Sequence, residues 1–241
     1  MDDSLRIAML WRILAVYDAR VGRFSLACGP GCDACCTRSV TMTSLEGEVL
    51  GDFLQQAGRW PEMAATLREM GPSGIRPAET FNQFAALCLA QREPADDVSL
   101  TRDMAPCLLL DADGRCTVYP ARPFACRSFA SSCRCAADRG AEMAPLLVTL
   151  NTVVLQLIEH LDSDGGCWGN LIDILRLRDR PEENIGNEVL PARPLPGFLV
   201  PPWEEAEINA FLETLFRSTI QGRSFGRLLE DPGSGSADAW I

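Results

Sequence analysis

Apolar residues recur at helical spacing from the start of the chain. Ile7, Leu10, Trp11 and Leu14 share one face, which predicts an amphipathic helix over residues 4–20. The same period returns in "TSLEGEVLGDFLQQ", where Leu45, Val49, Leu50, Phe53 and Leu54 supply the stripe. Thr43 opens that run and Glu46 follows three residues on, the spacing of a capping box. Pro61 suits the first turn of a shorter helix reaching about Met70. "GPSGIRP" reads as a loop and "ETFNQFAALCLAQRE" as helix again. Pro145 opens a long apolar helix, "PLLVTLNTVVLQLIEHL", and another runs from about Trp168 to Leu177. Trp203 to Phe216 forms a last amphipathic helix.

Three stretches interrupt this rhythm. "CLLLDADGRCTVY" is two short apolar runs around Asp-Ala-Asp-Gly, a hairpin signal. A two-residue turn at Asp113-Gly114 sets Cys116 opposite Asp111, and a four-residue loop sets it opposite Leu109. Both registers aim Cys107 and Cys116 to the same side, whereas a three-residue loop separates them. In "YPARPFACRSF", Pro123 begins a helix that carries Cys126 near its N-terminus, where backbone N–H groups and the helix dipole favour a thiolate. Residues 181–202 hold six prolines and read as an irregular wrapping segment. The terminal "EDPGSGSADAWI" reads as disordered. The expected fold class is mainly α: helices around a cysteine-rich irregular metal centre, with one small β-hairpin. Residues 1–180 would form a cysteine-cluster metal-binding domain, and 181–241 a Pro-rich segment, C-terminal helix and tail.

Charge and composition narrow the chemistry. The 241-residue chain carries a net charge of -11, which argues against a general nucleic-acid binder. All 22 basic residues are arginine, so Schiff-base and P-loop lysine chemistry is excluded. The single histidine, His160, shares a polar stripe with Thr152 and Gln156, and reads as an exposed or packing residue rather than a ligand. Two Asp at the start, and Arg12 splitting the first apolar run, do not resemble a secretory signal. No segment reaches the length of a membrane span. A cytoplasmic protein without a membrane partner is expected.

Eleven cysteines in such a chain point to metal rather than to disulfides. Cys28, Cys32, Cys35 and Cys36 read as C-x3-C-x2-C-C, with Gly29 and Gly31 allowing the backbone to fold tightly around a bound group. Cys107, Cys116 and Cys126 form a second set. Cys133 and Cys135 would complete the set or act as redox partners, Cys88 reads as core, and Cys167 as a loop or packing residue. Arg122 and Arg127 flank Cys126 and either pair with carboxylates or neutralise an anionic thiolate site, while Tyr119 packs.

"CGPGCDACC", "TSLEGEVL", "PCLLLDADGRCTVYPARPFACRSF" and "NTVVLQLIEHL" together resemble the bacterial CxxCxxCC family, the YkgJ-like cysteine-cluster proteins, described as a zinc- or iron-chelating domain. The motifs span roughly residues 10–175. The resemblance implies a metal or iron–sulfur centre built from Cys28, Cys32, Cys35, Cys36, Cys107, Cys116 and Cys126. The flagellin lysine N-methylases fall in the same broad grouping, which implies methyl transfer as an alternative activity. No glycine-rich loop follows a strand as S-adenosylmethionine binding would require, and the part after residue 180 matches nothing in the family.

Zinc takes four ligands, often from two CxxC pairs, and only Cys32 and Cys35 offer one. The Cys28-x3-Cys32-x2-Cys35 spacing is that of the cluster loop in radical S-adenosylmethionine enzymes, although the helical sequence downstream does not suit their barrel. All-sulfur ligation slightly favours a [4Fe-4S] cluster over zinc, and a two-zinc site with a bridging thiolate is the other arrangement. The expected function is cysteine-ligated metal binding with a structural, redox or metal-handling role. The alternatives are a protein lysine N-methylase-like enzyme, or a zinc chaperone or interaction module that docks a protein partner.

Overall fold

The first helix, α1 (Asp3–Val21), buries Met9, Leu10, Ile13, Leu14 and Tyr17. Its buried face is rotated from the expected one: Ile7 is partly covered and Trp11 remains 41% exposed. The reason is tertiary, because α1 is held from two sides by helices far along the chain. A computed structural model describes residues 1–75, 77–93, 103–135, 140–181 and 188–230. The terminal tail from residue 231 and residues 182–187 of the Pro-rich segment lie outside the described residues.

After the cysteine loop, strand β1 (Thr41–Thr43) leads into α2 (Ser44–Gln56), and the Thr43–Glu46 capping box forms as the spacing predicts. Next come α3 (Trp60–Met70), with Pro61 in its first turn, and α4 (Phe81–Leu89), which Thr80 and Gln83 cap in a second box. Cys88 on α4 is only half-buried, because that helix buries Asn82 and Ala85 instead. Short α5 (Phe124–Ser128) precedes the long α6 (Pro145–Leu161).

The helix expected from Trp168 starts later. Residues Cys167–Asn170 form β2, and the Asn170 side chain then accepts from the N–H of Ile172 to cap α7 (Leu171–Asp179). β2 lies between β1 and β3 (Val189–Pro191) in an antiparallel sheet, with Met42 opposite Gly169 and Trp168 opposite Leu190. A turn at residues 202–204 opens α8 (Glu205–Arg217). The two-residue strands β4 (Thr219–Ile220) and β5 (Arg223–Ser224) and short α9 (Phe225–Leu229) follow. The fold is mainly α with a small antiparallel sheet.

Two apolar clusters organise these elements. One joins α1, α6, α8 and α9 through Leu10, Ile13, Leu150, Leu157, Phe211 and Phe225. The other joins α2, α3, α7 and the sheet through Met42, Leu50, Leu67, Leu171 and Leu175. The Pro-rich segment does wrap. Gln156 of α6 donates to the carbonyl of Gly197 and accepts from the N–H of Leu199, at 2.8 and 3.1 Å. Glu159 accepts from the N–H of Arg193, and Nδ1 of His160 from that of Leu195. The stripe of Gln156 and His160 therefore does not face water. It replaces the strand partners that an extended, proline-rich backbone lacks.

Candidate metal centre

The cysteine loop is stitched into the fold at both ends. The N–H of Ala27 donates to the carbonyl of Ser131, that of Arg38 to Ala105, and that of Cys107 to Cys36, at 2.8 to 3.0 Å. Within the loop, Cys32 N–H donates to the carbonyl of Gly29 and Cys36 N–H to that of Asp33. Gly31 has φ +87°, which an L side chain rarely adopts, so the loop reverses where only glycine is comfortable.

The expected hairpin at 107–119 is cut to a single bridge, in which the N–H of Asp111 donates to the carbonyl of Arg115 and that of Thr117 to Leu109, both at 2.9 Å. Asp111 accepts from the N–H groups of Asp113 and Arg115 through its side chain, and the N–H of Leu110 turns back to the carbonyl of Cys107. These side-chain and turn bonds take the groups a ladder would use, leaving one isolated bridge between Leu110 and Cys116. That register is the three-residue-loop case. In straight strands it would separate the thiols, but the turn at 107–110 breaks the alternation and both Cys107 and Cys116 line one cavity. Gly114, at φ +74°, brings this turn against Asp33 of the cysteine loop.

Cys126 sits in α5 as expected. The first N–H of that helix, from Phe124, donates to Oε1 of Glu46 at 2.6 Å, while Oε2 accepts from Thr43. Glu46 thus caps α2 and anchors α5 at once, a role for which the sequence carries no signal beyond the cap. Burial raises the Glu46 carboxyl above its usual range. The helix terminus is expected to favour a thiolate at Cys126, and its surroundings oppose that. Burial raises that thiol first, and the neighbouring groups of Cys107, Cys116 and Glu46 raise it further.

All seven cysteines named from the sequence line one cavity of about 150 Å³: Cys28, Cys32, Cys35, Cys36, Cys107, Cys116 and Cys126. The volume is an order of magnitude above the roughly 10–15 Å³ that a single water needs. The cavity lies on the seam between the two apolar clusters, with Tyr17 and Val21 of α1 on one side and Val40, Leu109, Val118 and Leu171 on the other. The adjacent Cys36 thiol lowers Cys35, and Cys36 is raised in turn. Burial raises Cys28 and Cys107. Cys135 lies close enough to Cys28 to bear on its charge, although neither it nor Cys133 lines the cavity. Cys167 packs in β2 against the second cluster.

The flanking arginines divide. Arg127 is spent on Asp18 at 3.1 Å and on the carbonyls of Pro120 and Arg122. Arg122 lies 3.7 Å over the ring of Tyr119. Among the described residues no three His, Cys, Asp or Glu side chains converge on one point as a single bound ion requires. No helix among those residues is long and apolar enough to cross a membrane.

No protein-family model, curated protein or solved structure matches the chain. The resemblance to the cysteine-cluster family rests on its motifs alone.

Proposed function

We propose that the chain is a cysteine-ligated metal-binding protein that holds a polynuclear centre, an iron–sulfur cluster of [4Fe-4S] type, with its four thiolate ligands drawn from Cys28, Cys32, Cys35, Cys36, Cys107, Cys116 and Cys126. One observation carries the reading: seven thiols from three separated stretches of chain line a single cavity. Packing alone does not require this, because a buried cysteine serves as a small apolar residue anywhere in a core. The donor set fits the group, being all sulfur and partly shielded. A single tetrahedral zinc uses four donors, often from two CxxC pairs, and only Cys32 and Cys35 offer one such pair. Such a centre would supply electron transfer or hold the loops together. This chain's own part is to collect the thiolates and to shield them with Tyr17, Leu109 and Val118.

Anaerobic purification with an absorption spectrum and iron, zinc and acid-labile sulfide analysis tests the reading. The expected result is a broad band near roughly 400 nm with matching iron and sulfide. Cys32→Ser and Cys126→Ser should lose the band, and Cys88→Ser should keep it. Stoichiometric zinc without sulfide would replace the cluster by the two-zinc arrangement. Protein free of both metals would overturn the proposal.

A further inference from the structure

We propose that a groove beside the cysteine cavity binds a small organic anion, with a carboxylate or phosphate group held by Arg122 and an apolar part lying on Trp11. The groove encloses about 420 Å³ between α1 and the turn before α5, and its walls include Trp11, Leu14, Asp18, Tyr119, Arg122 and Arg127. Asp18, Tyr119, Arg122 and Arg127 also line the cysteine cavity, so these four side chains form the partition between the two spaces.

Arg122 is fixed in place but meets no carboxylate. Its Nη1 donates to the carbonyl of Tyr119 at 3.0 Å and its guanidinium stacks on the Tyr119 ring, which holds the planar fork in one orientation. Other arginines of this acidic chain are matched to acids: Arg127 to Asp18, Arg178 to Glu48 and Asp52, Arg20 to Glu207, Arg68 to Asp179. No acid among the described residues pairs with Arg122, and the bond to Tyr119 occupies one of its five N–H donors. An oriented guanidinium with open donors is the group that grips a carboxylate or phosphate through two parallel bonds. Asp18 is already paired with Arg127 and does not cancel the charge of Arg122.

The apolar half of the ligand follows from Trp11. This indole is 41% exposed on a helix whose neighbouring apolar residues are buried, and Leu14 beneath it is 5% exposed. A flat aromatic face beside an arginine fork suits an anion with a planar or apolar body rather than a bare inorganic ion. The net charge of -11 disfavours polyanions such as nucleic acid while leaving this spot open to a small molecule.

Calorimetric titration of the anaerobically purified full chain with benzoate and with phenyl phosphate tests the proposal. Both share one apolar body, so the head group that binds names the anion. The titration is run in about 0.15 M salt, where loose surface attraction is screened beyond about 8 Å. Saturable binding of at least one probe is expected. Arg122→Gln should weaken it by at least about tenfold, and Trp11→Ala should weaken it several-fold, while Arg23→Gln should bind as the parent does. Metal and sulfide content is measured in the same preparations. Trp11 does not line the cysteine cavity, so Trp11→Ala should keep its metal while losing the ligand. No saturation with either probe, or equal binding by the parent and both groove variants, would overturn the proposal whatever the metal analysis finds.

Discussion

A few side chains each hold two pieces of chain, and their loss should be felt beyond their own positions. Glu46 accepts from Thr43 on one oxygen and from Phe124 on the other. Glu46→Ala strands the buried N–H of Phe124 and removes half of a capping box. We expect a loss of about 2–3 kcal/mol in urea unfolding, with Glu46→Gln milder because an oxygen acceptor remains. Gly114 occupies φ +74°, so Gly114→Ala should cost about 1–2 kcal/mol, and Gly114→Asn less, since Asn tolerates the left-handed region.

His160 gives a pH dependence of definite sign. Burial lowers its pKa from 6.5 to about 4. Unfolded chains take up the proton below about 6.5, and the folded protein does so only near 4. The stability it supports at neutral pH is therefore lost progressively as pH falls through that window, about 3 kcal/mol in all. The proton would also arrive at Nδ1, where the N–H of Leu195 already donates. His160→Asn keeps an acceptor and removes the titration. Unfolding free energies of the two proteins should converge between pH 7 and pH 4.5 if Asn is the less stable at neutrality, and a constant gap would refute the assignment.

Between elements, the approach of α2 and α7 depends on missing side chains. A Cβ on Gly47 would come within 2.4 Å of Cγ2 of Ile174. Alanine is ordinarily the better helix former by about 1 kcal/mol, so the sign of Gly47→Ala reports which effect wins. Overpacking should win, with a net loss of about 1–2 kcal/mol. Combining it with Ile174→Ala should cost less than the sum of the single losses, as a double-variant cycle would show. Elements were legible in the sequence where their determinants are local. The N-terminal end of α2, Pro61 and Pro145 follow from capping and proline chemistry. The face of α1 was misjudged because α6 and α8 set it from more than a hundred residues away. The hairpin stops at one bridge because the Asp111 side chain takes the N–H of Arg115 that a longer ladder would use. The polar face of α6 reads as solvent-exposed until the wrapping segment is seen lying on it.

At the scale of the molecule, the cysteine cavity occupies the seam between two apolar clusters. The seven thiols were legible by count and spacing, since packing does not concentrate four cysteines in nine residues. Their common destination was expected only from the family resemblance, because the bonds that join residues 27, 36, 38, 105, 107 and 131 link stretches far apart in sequence. These stretches contain little regular structure, so a bound centre should stabilise them more than the helices. Stripping metal with a strong chelator should speed proteolysis within residues 24–39 and 103–135, while α6 and α8 stay protected. Equal sensitivity with and without metal would argue against a resident centre.

The pairing of α1 with the end of the chain has a consequence during synthesis. Arg20 meets Glu207, a separation of 187 residues. At ribosomal speeds of about 5–20 residues per second, α1 and the four thiols of residues 28–36 wait on the order of ten seconds or more for partners still being translated. For that interval the loop is an open nucleophile in the cell. Whatever fills the cavity must arrive after Cys126 has been translated, and an early encounter with an oxidant or a stray metal would be recorded in the finished protein.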